Sequence, residues 1–121
     1  MLSQHKEVVK TKFETTQKGL ETVFKPYQVK ALEVVFGKDG ASSQEIWSEV
    51  NRLMKPETIS RASIINFMND MVDEELVDFD LITGKGGHRR IYHKIPGIWN
   101  MDELKSVLFK RFCSALESEL A

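Results

Sequence analysis

Apolar side chains recur every three or four residues over most of this chain of 121 residues, which is the period of an amphipathic helix. Pro26, the segment 37–40 with its two glycines, and Pro56 interrupt the repeat. Proline lacks a backbone donor and glycine tolerates a left-handed cap, so these residues mark helix boundaries. The repeat and its interruptions predict helices over 3–24, 27–36, 43–53, 60–75 and 101–120.

The start of the third predicted helix carries a specific signal. Ser42 is followed three residues later by Glu45, which is the capping-box pattern at a helix N-terminus. The third helix is therefore expected to begin at Ser43, and a short strand is expected just before it, over 41–42.

Between the fourth and the last helix, the apolar period changes from three or four residues to two. This alternation predicts a β-hairpin with strands over 77–83 and 89–95. The side chains predicted to face the core are Val77, Phe79 and Leu81 on the first strand and Ile91, His93 and Ile95 on the second.

The register of this hairpin follows from the same alternation. Both apolar sets face the core only if the loop has an odd number of residues, because a slip of one residue turns a strand over. A five-residue loop over 84–88 meets this condition. It would place Asp78 opposite Lys94 and Asp80 opposite Tyr92.

Charge is distributed unevenly, although the net charge is only -1. Six acids and no base lie within 70–80, whereas no acid lies within 81–101 and four bases do: Lys85, Arg89, Arg90 and Lys94. A near-neutral chain does not coat nucleic acid indiscriminately. A polarised one can still bind a polyanion with one face.

A helix pair followed by a basic hairpin is the order of elements in a winged helix-turn-helix, and it makes DNA binding the leading hypothesis. The second helix of such a pair places its N-terminal residues against base edges in the major groove. Asparagine can pair with adenine and arginine with guanine, while hydroxyl groups at helix starts can hold phosphates. The candidate DNA-binding residues are Ser42, Thr58, Ser60, Arg61, Ser63, Asn66, Lys85, His88, Arg89 and Arg90.

Residues 27–95 resemble the winged-helix repressors of the penicillinase-repressor group, with the multiple-antibiotic-resistance regulators as a neighbouring group. The resemblance rests on the segments 60–68, 76–77 and 86–92. It implies a dimer that binds an inverted repeat, with the helix from Ser60 in the major groove and the wing on the backbone or minor groove. One position departs from the group, because Glu75 stands where a glycine usually precedes the Leu-Val pair.

The flanking helices are candidates for the dimer interface, and the C-terminal one has the wider apolar face. The residues expected there are Val9, Phe13, Leu20, Leu104, Leu108, Phe112 and Leu116. Packing within one subunit remains the alternative for both helices. The predicted architecture is thus α+β, mainly α: a single domain over 1–121 with a winged-helix core over 26–96 and additional N- and C-terminal helices.

Other functional classes have little support in the sequence. The three histidines are scattered and zinc-ligand spacing is absent, so neither catalysis nor a metal or cofactor is expected. The single Cys113 fits a reducing compartment, and neither a signal peptide nor a membrane-spanning run is evident, so a cytoplasmic protein is expected. The sequence leaves the operator, the regulated genes and any small-molecule effector open.

A winged helix that assembles proteins without binding DNA specifically is the competing interpretation, because fold does not fix function. The near-neutral charge and the acidic segment 70–80 are compatible with it. For the hairpin tip, the corresponding alternative is a solvated turn whose cations prevent edge-to-edge pairing.

Overall fold

The computed structural model describes residues 23–84 and 86–120. Within these ranges the elements follow the chain as α1 (Pro26–Lys38), β1 (Ala41–Ser42), α2 (Ser43–Met54), α3 (Arg61–Asp73), β2 (Asp78–Gly84), β3 (Gly87–His93) and α4 (Met101–Leu120). The three strands form one antiparallel sheet in the order β1-β3-β2. This arrangement confirms the predicted winged-helix fold of mainly helical α+β class.

The predicted N-terminal helix over 3–24 falls almost wholly outside the described residues, and so do its candidate interface residues Val9, Phe13 and Leu20. Val23 and Phe24, which are described, form a turn before α1. Among the described helices, none has the length and apolar character needed to cross a membrane.

Helix α1 begins with Pro26, where the missing N–H costs nothing. Val29, Leu32 and Val35 are buried along one side of the helix and form part of the core. The helix ends at Lys38, two residues beyond its predicted end, and Asp39 follows it in a left-handed conformation with φ of 54°.

Helix α2 has the capping box that the sequence predicts. The Glu45 N–H donates to Ser42 Oγ at 3.1 Å, and the Ser42 N–H donates to Glu45 Oε1 at 3.2 Å. Both terminal donors are thereby satisfied, which fixes where the helix begins.

The segment between α2 and α3 is held by side chains of α2. The amide of Asn51 bonds both backbone groups of Ile59, with Ile59 N–H to Oδ1 at 2.8 Å and Nδ2–H to Ile59 O at 3.1 Å. Trp47 Nε1 donates to the same carbonyl at 2.9 Å. These bonds fix the entry of the chain into α3 relative to α2.

Helix α3 ends in a hydrogen-bonded cap that carries a side chain at its left-handed position. The Leu76 N–H donates to Met71 O at 2.9 Å and the Glu75 N–H donates to Val72 O at 3.0 Å, the pairing of a Schellman motif. Glu75 has φ of 58°. It thus occupies the position where glycine is favoured, and its conformation costs about 1–2 kcal/mol.

The predicted register of the hairpin is wrong by one residue. Gly84 pairs with Gly87, so only residues 85 and 86 connect the strands, and Phe79 pairs with Tyr92. The five-residue loop over 84–88 is therefore not formed. The expected pairs of Asp78 with Lys94 and Asp80 with Tyr92 are replaced by pairs of Asp78 with His93 and Asp80 with Ile91.

Tyr92 explains the difference, because it is the buried residue of β3. It is 1% exposed, and its ring lies 6.4 Å from the Phe79 ring between centroids. The expectation that Ile91 and His93 face the core is correspondingly wrong. Both are only half-buried on the opposite face, where His93 Nε2 lies 3.5 Å from an oxygen of Asp80.

Helix α4 packs on the core mainly through its first turns. Leu104 is fully buried, and Leu108 packs against the core while partly exposed. Farther along, Phe109 and Leu120 are 46% and 66% exposed. Arg111 joins the helix to the end of α3, because its Nη1 donates to Glu74 O at 2.7 Å.

Candidate nucleic-acid interface

A cleft of about 950 Å³ separates the hairpin from the two helices of the helix-turn-helix. Its walls come from the first turn of α2, one side of α3, and the end of the hairpin. Of the residues selected at the front of α3, Arg61 lies on this cleft together with residues of the basic wing. The charged and hydrogen-bonding side chains on the cleft are Ser42, Ser43, Gln44, Glu45, Arg61, Asn69, His88, Arg89, Arg90 and Tyr92.

Arg61 is the first residue of α3 and is exposed at the cleft. Its guanidinium carbon lies 5.8 Å from the centroid of the Trp47 ring, within the range of a cation–π contact. The arginine can therefore offer its donors to a ligand while the aromatic ring supports the planar group.

Arg90 projects from β3 towards α3. Its Nη1 donates to Asn69 Oδ1 at 2.7 Å, and its guanidinium carbon lies 4.2 Å from the centroid of the Phe79 ring. Tyr92 Oη donates to the same oxygen of Asn69 at 2.9 Å. Burial raises the pKa of Tyr92 further above neutrality, so its hydroxyl is protonated and can donate.

Arg89 lies on the other face of the hairpin from Arg90, because successive strand residues alternate between faces. Arg89 is exposed and pairs in register with Ile82, which is 51% exposed. His88 also lines the cleft, with its Nδ1 3.2 Å from Thr83 Oγ1.

Glu45 is the acidic residue on the described wall of this cleft, and both of its oxygens are engaged. Oε2 lies 3.0 Å from Lys38 Nζ, while Oε1 accepts from the Ser42 N–H. The Lys38 hydrogen bond and that capping bond lower the pKa of Glu45. Its negative charge is thus opposed by a lysine, and the arginines dominate the charge of the cleft.

The remaining sequence-selected residues take different positions. Ser42 is buried and lines the cleft, but its hydroxyl is committed to capping α2. Ser60 caps α3 by accepting from the Ser63 N–H at 3.1 Å, and the two hydroxyls lie 2.9 Å apart. Thr58 is exposed two residues before that cap, and Asn66 is exposed on α3.

Four of the selected residues do not line the cleft: Thr58, Ser60, Ser63 and Asn66. Lys85 lies outside the described residues.

Sequence reasoning missed Ile65 and Asn69, which line the cleft. They follow Arg61 by four and eight residues, so the three share one side of α3. The i, i+4, i+8 spacing from Arg61 could have identified them.

The acids of α3 face a different part of the molecule. Asp70, Asp73 and Glu74 line a second cavity of about 590 Å³, which lies between the end of α3 and helix α4. Three of the six acids within 70–80 are therefore separated in space from the basic cleft, and Arg111 lies beside them.

Comparison with solved structures identifies a similar fold. The chain resembles the crystal structure of a PadR family transcription regulator from hypervirulent Clostridium difficile R20291, with a TM-score of 0.51 and 15% sequence identity. The alignment covers 78% of this chain and 99% of the other. The likeness supports the winged helix and does not extend to the penicillinase-repressor or multiple-antibiotic-resistance groups specifically. No family model and no curated protein matches the sequence.

Proposed function

We propose that this protein binds double-stranded DNA specifically and acts as a dimeric transcription regulator, in the role of a cytoplasmic repressor. The observation that carries the proposal is the shared cleft, which Arg61 of α3 and Arg90 of the wing both line. The similarity in fold to a protein described as a transcription regulator supports the same function.

In the proposed complex, the exposed side of α3 enters the major groove. Arg61 at its N-terminus supplies paired donors for guanine, and Asn66 supplies a donor and an acceptor for adenine. Ile65 at the cleft can contact a thymine methyl group. Each good bidentate pair contributes about 1–3 kcal/mol of discrimination.

The wing and the start of α2 would hold the phosphate backbone on either side of α3. Arg89 is exposed on the hairpin, and the glycines at 84, 86 and 87 leave room for close approach of a sugar-phosphate chain. The first turn of α2 also borders the cleft, where the backbone N–H groups of Ser43 and Gln44, which the capping box does not engage, would favour an anion.

Dimerisation would be provided by α4, whose apolar side chains extend beyond the core. Leu108, Phe112 and Leu116 are only partly buried, and Phe109 and Leu120 are exposed. A two-fold axis would place two α3 helices about one DNA turn apart, which is the geometry for reading an inverted repeat.

A protein-assembly module is the second candidate, because the acidic cavity between α3 and α4 offers a surface of the opposite charge. The two candidates differ in salt dependence. Binding to phosphates releases counterions and weakens steeply as salt rises, whereas a connector has no such relation to duplex DNA.

The test is fluorescence anisotropy with a random duplex over a series of salt concentrations, followed by selection of bound duplexes from a random pool. Removal of Lys85, Arg89 and Arg90 together should flatten the slope of log affinity against log salt by about two to three units. A matched variant with Lys30, Lys105 and Lys110 changed to alanine, all outside the cleft, should change the slope less. Absence of salt-dependent binding by the unchanged protein would favour the assembly module.

A further inference from the structure

We propose that Asn69 is a positioning residue, which fixes the guanidinium of Arg90 at a set place beside α3 and does not read a base itself. The inference rests on the proposed DNA-binding function and assigns different roles to Asn66 and Asn69, two residues of one type on the same helix.

The hydrogen bonds of Asn69 determine its orientation. Arg90 Nη1 lies 2.7 Å from Asn69 Oδ1, and Tyr92 Oη lies 2.9 Å from the same atom. A guanidinium has donors and no acceptor, so the atom of Asn69 that faces it must be the carbonyl oxygen. With two bonds accepted, both lone pairs of that oxygen are used.

This orientation removes the adenine-reading chemistry of Asn69. Bidentate pairing with adenine needs the amide oxygen to accept from the exocyclic amine while the amide nitrogen donates to the ring. The oxygen of Asn69 already accepts two bonds. Asn66, one turn earlier and exposed, makes no hydrogen bond to another side chain among the described residues, so it retains both groups for a base.

Arg90 is held from two directions. The Phe79 ring supports the face of its guanidinium at 4.2 Å, and Asn69 accepts from one end of it. Phe79 pairs in register with Tyr92, and Tyr92 is buried. The ring that supports Arg90 is therefore itself held in place by the packing of the hairpin. Arg90 lines the cleft, so the donors that Asn69 does not engage are held at a fixed place on it, and little rotamer freedom would be lost when DNA binds.

The contact also links two parts of the DNA-binding surface. Asn69 lies on α3 and Arg90 on β3, 21 residues apart, and the direct bond sets the distance between the helix and the wing. The helix and the wing are thereby spaced before they meet adjacent parts of a duplex.

The test measures affinity for a selected duplex and for a random duplex of the same length, with Asn69→Ala, Arg90→Ala and the double variant. Asn69→Ala should weaken binding to the selected duplex about two- to tenfold, the factor expected for ordering one long side chain. It should weaken random-duplex binding less and leave the salt slope unchanged, since the cation remains. In the Arg90→Ala background, the change at Asn69 should have no further effect.

Asn66→Ala is the matched control, because it removes the same amide from the same helix. It should weaken selected-duplex binding to the same extent with or without Arg90, and it should relax preference at one base pair. Arg90→Lys retains the charge but lacks the planar fork, so it should keep the salt slope while losing selected-duplex affinity. Thermal unfolding of each variant separates these effects from loss of fold.

The inference would be overturned if the losses of affinity caused by Asn69→Ala and Arg90→Ala added fully in the double variant and Asn69→Ala also changed the base preference. That result would show that Asn69 contacts a base directly. Unchanged affinity of Asn69→Ala for the selected duplex would also overturn it. Failure of the unchanged protein to bind any duplex would overturn the proposed function and this inference with it.

Discussion

The guanidinium of Arg61 lies over the indole ring of Trp47, with 5.8 Å between the guanidinium carbon and the ring centroid. Trp47 is itself fixed, because its Nε1 donates to Ile59 O at 2.9 Å. The first residue of α3 thus rests on a side chain of α2, and the same tryptophan holds the turn between the two helices. Trp47 therefore has two roles, the support of Arg61 and the fixing of the turn, and different substitutions at this position can separate them.

Trp47→Phe should retain an aromatic face below Arg61 and lose the hydrogen bond to Ile59. Because Asn51 still donates to that carbonyl at 3.1 Å, we expect a loss of about 1 kcal/mol in the free energy of unfolding, measured with urea. Trp47→Leu also removes the ring. Relative to Trp47→Phe, it should weaken specific DNA binding about two- to fivefold, as expected for an exposed cation–π contact. Equal DNA affinities of the two variants would contradict a role for the ring.

Asn51→Ala should destabilise the fold more than changes at neighbouring surface positions. The substitution removes both bonds between Asn51 and the backbone of Ile59, for which we expect a loss of about 1–3 kcal/mol in the free energy of unfolding. Arg52→Ala is the matched control, because in the described part of the chain that exposed side chain pairs with Glu49 of its own helix. A urea midpoint for Asn51→Ala no lower than that of Arg52→Ala would show that the turn does not depend on this amide.

Glu75→Gly should stabilise the protein. Glu75 has φ of 58° after α3, and glycine removes the steric cost of that conformation while increasing the entropy of the unfolded chain. The balance favours glycine by up to about 1 kcal/mol. Asp39→Gly is the comparison, because Asp39 has φ of 54° but aspartate tolerates this region better, so its gain should be smaller. Thermal unfolding of the two variants decides the order, and a lower midpoint for Glu75→Gly than for the unchanged protein would refute the prediction.

The helix boundaries could be predicted closely from local chemistry. The proline at position 26, the Ser42–Glu45 capping box and the Ser60 cap each act within one turn, so a reader of the sequence has all of the participating groups in view. The Schellman cap after α3 is formed despite Glu75 because its hydrogen bonds involve only backbone groups.

The hairpin register could not be predicted by the same means. Alternation alone favoured Ile91 and His93 as inward residues, since isoleucine is more apolar than tyrosine. The structure buries Tyr92 because its hydroxyl finds an acceptor in Asn69, 23 residues earlier in the chain. A contact between β3 and α3 thus decides which face of the strand is buried. The alternation of residues within the strand carries no information about that contact.

The location of the candidate site could be predicted from the sequence better than the residues that form it. Arg61 and Arg90 were selected for their charge, and both line the cleft. Asn69 was not selected, because its role depends on Arg90 and Tyr92 being brought to it by the hairpin. Ser60 and Ser63 were selected for their hydroxyl groups, and the structure has these groups at the start of α3, where Ser60 Oγ accepts from the Ser63 N–H and bonds to Ser63 Oγ.

Stability should depend on the ionisation of His93. Its hydrogen bond to the Lys94 carbonyl raises the pKa of His93, partial burial opposes the shift, and Asp80 and Asp78 increase it. A raised pKa means that the folded state binds the proton more tightly. The stabilisation is fully present below the unfolded pKa of about 6.5 and is lost as pH rises through the folded value.

Unfolding by urea at pH 5.5 and at pH 8.5 would measure this contribution. The unchanged protein should lose more stability over this interval than His93→Gln, which cannot titrate. Asp80→Asn should keep part of the difference, because the Lys94 carbonyl is the largest cause of the shift. An identical pH dependence for the unchanged protein and His93→Gln would contradict the assignment.

The two halves of α4 should respond differently to truncation of leucine. Leu104 is fully buried within the subunit, so Leu104→Ala should lower the free energy of unfolding by about 2–5 kcal/mol. Leu116 is only partly buried, three turns farther along the helix.

If α4 forms the proposed dimer, Leu116→Ala should leave the core intact and shift the protein towards monomer. Sedimentation equilibrium over a range of concentrations measures this shift. The shift should also weaken binding to an inverted repeat more than binding to a single half-site, because only the dimer spans both halves. Unchanged sedimentation and unchanged half-site preference for Leu116→Ala would place the interface elsewhere on the molecule.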